Sequence, residues 1–159
     1  MLETTDRPTA PVPIAAGAMV PRRLLIAEPE TPWPALAEDW RKYGAQVSVL
    51  IQRAAEPEPA FVRRLCAAIA SAQLEGQPFE GAALVMADDT GAHVQAARER
   101  TLQLLAQSLL RAARPIALQV HCPSGASAAF WRSLERVQRA IAREFRDGAQ
   151  FIVCAPRAA

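Results

Sequence analysis

The chain has little of what many functional classes require. Only 3 of its 159 residues are cysteine, and Cys66, Cys122 and Cys154 stand far apart. They make neither a disulfide framework nor a C-x-x-C metal pair, so a reducing cytoplasm is the expected compartment. Aromatic residues are 6% of the chain, too few for platforms that stack nucleic-acid bases. The 18 Lys+Arg against 16 Asp+Glu leave a net charge of +2, which is no electrostatic footprint for nucleic acid. The longest apolar runs are a few residues, too short to cross a membrane, so no membrane partner is expected. What the chain does have is 51% hydrophobic residues, too many for a disordered polymer. Its length suits one domain around one core.

Residues 1–20 read as a flexible tail. Arg7 to Pro13 holds three prolines among small residues, with no amphipathic period and no basic start to a secretion signal. Residues 21–159 read as a single α/β domain. Leu24 to Ala27, Val47 to Ile51, Ala82 to Met86, Ile116 to Val120 and Phe151 to Cys154 are short apolar runs that predict strands. Between them, Trp33 to Tyr43, Phe61 to Ala72, Val94 to Ala113 and Ser127 to Arg146 have helical spacing. Gly44 and Gly148 stop the first and last of these helices. Continuous apolar strands alternating with amphipathic helices predict a parallel sheet covered on both faces. Right-handed crossovers make that a three-layer, doubly wound (Rossmann/flavodoxin-like) five-stranded sheet in the order 2-1-3-4-5. Ligands of such folds bind at the carboxyl edge of the strands.

The segment Ser127 to Arg146, with its Arg-Ala-Ile-Ala-Arg-Glu stretch, followed by Gly148 to Pro156, resembles the active-site helix and next strand of the short-chain dehydrogenase/reductases. The helix Thr101 to Leu110 and the strand–helix–strand unit from Leu24 to Leu50, with its Gly44-Ala-Gln-Val47 entry, are similar to that family too. The resemblance covers about residues 22–156 with gaps. The family's second helix and third strand have no counterpart between Ile51 and Phe61. The structural subdomain of polyketide ketoreductases, a truncated relative, is similar in the same way.

The family's chemistry does not carry over. Its first turn is glycine-rich, so that backbone amides reach the cofactor pyrophosphate. Here the turn is Ala27-Glu-Pro-Glu-Thr-Pro-Trp-Pro34, with no glycine, three prolines and two carboxylates. Prolines remove amide donors, and Glu28 and Glu30 repel phosphate, against the usual preference of a helix N-terminus. Met86-Ala-Asp-Asp89 stands where the family has N-N-A-G. The catalytic Asn falls near Ala97, the catalytic Ser at His121 or Cys122, and the Y-x-x-x-K pair on Ser127 and Trp131. The single tyrosine, Tyr43, lies in the first helix. No catalytic residue, cofactor-binding residue or metal ligand is expected, and no cofactor.

Val120-His-Cys-Pro-Ser-Gly125 echoes the start of cysteine-dependent phosphatases, but the position of their phosphate-binding arginine is Ala128. Gly125-Ala-Ser-Ala-Ala129 loosely mimics a nucleophile elbow without a well-placed base. Glu28, Glu30, Asp88, Asp89, His93, His121 and Cys122 could share the carboxyl edge, with no metal-ligand spacing among them. On the last helix Phe130, Leu134, Val137 and Ile141 form the apolar stripe. Arg132, Arg136, Arg139 and Arg143 form an opposite, basic stripe, the candidate interaction face. A bare arginine row would repel its own symmetry mate unless acids such as Glu99 and Glu135 interleave.

Two functions follow as expectations. The first is a non-catalytic, reductase-like domain that works as an interaction, scaffolding or structural protein, with a protein partner or a second copy of itself. The alternative is an enzyme, either a divergent NAD(P)-dependent oxidoreductase or one using His121 and Cys122 at the carboxyl edge.

Overall fold

The computed structural model describes residues 20–87, 92–123, 125–145 and 151–154, and for 92–95 and 152–154 the backbone alone. The expected tail, save Val20, lies outside the described residues. Strands and helices alternate along them: β1 (Arg22–Ala27), α1 (Trp33–Lys42), β2 (Gln46–Ile51), α2 (Glu58–Leu74), β3 (Gly81–Val85), α3 (Ala92–Leu110), β4 (Leu118–His121), α4 (Ala128–Glu144) and β5 (Phe151–Cys154). The strands pair in parallel. The order β2-β1-β3-β4 makes the body of the sheet, and the short β5 adds at the β4 edge. The alternating parallel α/β architecture, Rossmann-like in general kind, is the one expected from the apolar runs.

Side chains alternate across the sheet. Leu24, Ile26, Ala82, Leu84, Leu118 and Val120 face the larger core cluster, which α2, α3 and α4 cover together. Leu25, Ala27, Ala83 and Val85 face the smaller cluster, covered by α1. The chain steps from β1 out to β2, then returns past β1 to β3. Right-handed crossovers in opposite directions therefore leave α1 alone on its side. The cover expected on both faces is unequal: β4 buries Leu118 and Val120 towards α2–α4, while Gln119 and His121 stay half-buried on the α1 side.

Local sequence explains the helices. Phe61, Leu65, Ile69 and Ala72 recur at helical spacing and are all buried on α2. Each such large apolar side chain stabilises the fold by about 1.5–3 kcal/mol when fully buried. Ser127 caps α4, its hydroxyl accepting from the Phe130 amide at 3.2 Å. Arg41 and Lys42 close α1, and Gly44 follows at φ 88, a left-handed turn that favours glycine. One boundary is corrected. Ile116 and Ala117 precede β4, because the Ile116 amide donates to Leu109 at the end of α3 rather than into the ladder. Among the described residues no helix is long and apolar enough to cross a membrane.

Candidate functional site

The carboxyl edge gathers the ends of β1, β3 and β4 with the starts of α1 and α3. Its centre is an ion pair. Leaving β1, Glu28 donates its amide to Val85 at 3.1 Å, which holds the turn against β3. Its carboxylate accepts from the Ala87 amide at 2.6 Å, from Arg98 Nη2 at 2.8 Å and from Arg98 Nε at 2.9 Å. Arg98 Nη2 also donates to the Ala87 carbonyl at 2.9 Å. The guanidinium lies 5.5 Å from the centre of the Phe130 ring. Both side chains are close to nine-tenths buried, 10% exposed for Arg98 and 13% for Glu28.

The turn itself is built without glycine. The Thr31 hydroxyl donates to the Glu28 carbonyl at 3.0 Å. Glu30 adopts a left-handed φ of 58, the conformation that a glycine-rich turn takes at no steric cost. Pro32 stands at the start of α1, which has no side-chain cap. An internal carboxylate thus occupies the edge between β1 and β3, the point where the strand order reverses and where this kind of sheet takes its ligands.

Glu28, expected from the sequence to repel phosphate at this turn, is paired with Arg98 in the fold. Arg98 was missed altogether. A signal was present, since Arg98 falls in register with Leu102, Leu105 and Leu109, the buried face of α3. A cation on an apolar stripe needs a buried partner.

His121 and Cys122 are not brought together as a dyad. His121 ends β4 beside Val85, on the α1 side, and borders a groove of about 450 Å³ with Glu30, Leu36 and Asp39. Cys122 also borders it, but it is 8% exposed and belongs to the larger cluster on the other face. Burial lowers the His121 pKa, favouring the neutral imidazole. Ser127, the residue of the elbow-like stretch, is committed to the cap of α4. Asp88 and Asp89 lie outside the described residues, as do the side chains of His93 and Cys154. Among the described residues no cluster of His, Cys, Asp and Glu could hold a metal ion.

The arginine face of α4 is not bare. Arg136 engages Glu99 on α3 at 2.7 Å, and Arg139 engages Glu135 one turn back at 2.6 Å. The hydrogen bonds from Arg136 hold the Glu99 carboxyl below its usual range, against the opposing effect of burial. Arg132 and Arg143 are exposed and make no ion pair among the described residues. The acids that would permit two such faces to meet are therefore in place.

A second cavity, of about 280 Å³, opens between α2 and α3 on the other face of the sheet. Glu28 and Arg98 border it, with the β2–α2 loop opposite.

No family model matches the chain, and no curated protein does either.

Proposed function

We propose that this chain is a non-catalytic relative of the short-chain dehydrogenase/reductases, on a doubly wound five-stranded sheet, that acts through its surfaces. The partner is another protein or a second copy, and the compartment is the cytoplasm. The observation that carries this reading is the Glu28–Arg98 pair. A carboxylate already sits at the reversal point of the strand order and takes the Ala87 amide. A dinucleotide pyrophosphate would meet a fixed negative charge there, and a turn whose prolines offer no donors.

The position of Tyr43 supports the same reading. It is 67% exposed and follows the last turn of α1, which runs away from the carboxyl edge, so no phenol reaches that edge to act as a proton donor. The partly neutralised α4 face supports a protein contact. Arg132 and Arg143 remain for an acidic surface, while Glu99 and Glu135 reduce the self-repulsion of the row.

Calorimetric titration with NADH and NADPH tests the loss of cofactor binding, and light scattering on the same sample reads the assembly. No heat of binding together with a mass above one chain is expected. Micromolar cofactor binding would move the reading to a divergent oxidoreductase.

A further inference from the structure

The cavity between α2 and α3 has a chemistry of its own. Its floor is apolar: Phe61, Leu84, Leu102 and Leu105 line it, none more than 3% exposed. Its rim is charged, and the carboxylates there are already engaged. Glu28 is held by Arg98 and the Ala87 amide. Glu56 accepts from the Arg53 amide at 2.9 Å and from Arg64 Nη1 at 2.7 Å.

The guanidinium groups are not all engaged. Arg98 Nη1 has no hydrogen-bond partner among the described residues, but it is fully enclosed and does not open to the cavity. Arg53 is exposed at the rim, and its guanidinium makes no hydrogen bond or ion pair among the described residues. The donor capacity open to a ligand at this rim is therefore that of the Arg53 guanidinium. Counting charges, Glu28 with Arg98 and Glu56 with Arg64 cancel, which leaves the single positive charge of Arg53.

We propose that this cavity binds a small monocarboxylic acid with an apolar body. The carboxylate would take the guanidinium of Arg53 at the rim, beside the Arg98–Glu28 pair, and the body would lie on Phe61 and the α3 leucines. One negative charge balances the rim; the two charges of a phosphate would exceed it. A hydrated inorganic anion would also leave the apolar floor uncovered. An uncharged ligand would leave Arg53 unmatched. A volume of about 280 Å³ suits a body of one ring or a short branched chain and excludes a dinucleotide.

The test is a titration of the full chain with phenylacetate, benzoate and hexanoate, followed by backbone amide shifts. At least one should give saturable shifts at Ala54, Ala55, Ala97 and Thr101 with a dissociation constant under about 1 mM. The matching alcohol should bind about tenfold more weakly, having lost the charge-assisted bonds. Inorganic phosphate should not compete. Arg53→Ala should weaken binding about fivefold or more, and Ala97→Phe, which fills the cavity from α3, should abolish it. Thermal melting of each variant confirms that it folds. The proposal is overturned by any of three results. These are no saturable shift from any of the three acids up to about 10 mM, equal competition by phosphate, or unchanged affinity in both folded variants. Cofactor titration is a separate readout, so this site and the reading above fail independently.

Discussion

Arg98, from α3, grips Glu28, at the end of β1, through two nitrogens at 2.8 and 2.9 Å, while both groups also bond the backbone of Ala87. Three separate elements are thereby tied at the edge where the strand order reverses. Breaking a buried pair strands a charge, which costs about 3–5 kcal/mol, whereas replacing both partners by apolar groups often costs little. Arg98→Ala should therefore lower unfolding stability by about 3–5 kcal/mol. The double variant Glu28→Leu, Arg98→Met should lose clearly less than that. Urea denaturation of the wild type, the single and the double variant decides it. A double variant as unstable as Arg98→Ala would show that the pair is not acting as a unit.

Glu56 gives a pH-dependent counterpart. Burial pushes its carboxyl up, but the Arg53 amide and the Arg64 guanidinium outweigh burial and hold it below the ordinary carboxylate range. Its stabilising contribution is present above the unfolded-state value, about 4.3, and is lost as the pH falls through the lower folded-state value. Glu56→Gln should be less stable than wild type at neutral pH. The gap between their urea midpoints should close on acidification below about pH 4. A gap that is constant with pH would mean the loop depends on the shape of the side chain and not on its charge.

How far the fold was legible follows from what each residue type can tell alone. Leu24 to Ala27 and Ala82 to Val85 are continuous apolar runs because both faces of a central parallel strand are covered, and no other arrangement explains them as simply. Gly44 marked the end of α1 because the left-handed turn there favours glycine. The site was less legible. The register of Arg98 with the α3 leucines marks it as a buried cation, but not its partner: Glu28, seventy positions earlier, is placed beside it only by the crossover. Glu99 was expected as an acid able to interleave with the α4 row between two copies; within one chain it pairs with Arg136 from another helix. Glu135 was within one turn of Arg139 and could be read locally. Ile116 was misplaced because an apolar β-branched residue serves a helix end as well as a strand.

The core makes a simpler prediction. Leu105 is 1% exposed and lies between the sheet and the cavity floor. Leu105→Ala should cost about 2–5 kcal/mol, as for buried leucines elsewhere, and should enlarge the cavity. Leu104, its neighbour on the outer face at 36% exposure, should tolerate alanine with a loss of about 0.5 kcal/mol or less. Paired thermal and urea melts check both. Equal losses would contradict the assigned face of α3.

The half-covered β4 sets the last prediction. His121 sits on the α1 side, where burial lowers its pKa below the ordinary value of about 6.5. The unfolded chain then binds a proton that the folded chain resists. Its neutral form costs the fold nothing above the unfolded-state value, and stability is lost as the pH falls from there through the folded-state value. Wild type should therefore lose more stability than His121→Gln between about pH 7 and pH 5. The imidazole resonances should titrate below those of a model peptide. An elevated His121 pKa would require an anionic neighbour in the groove, and Glu30 and Asp39 line the same groove. The variants Glu30→Gln and Asp39→Asn would then identify which carboxylate holds the proton in place.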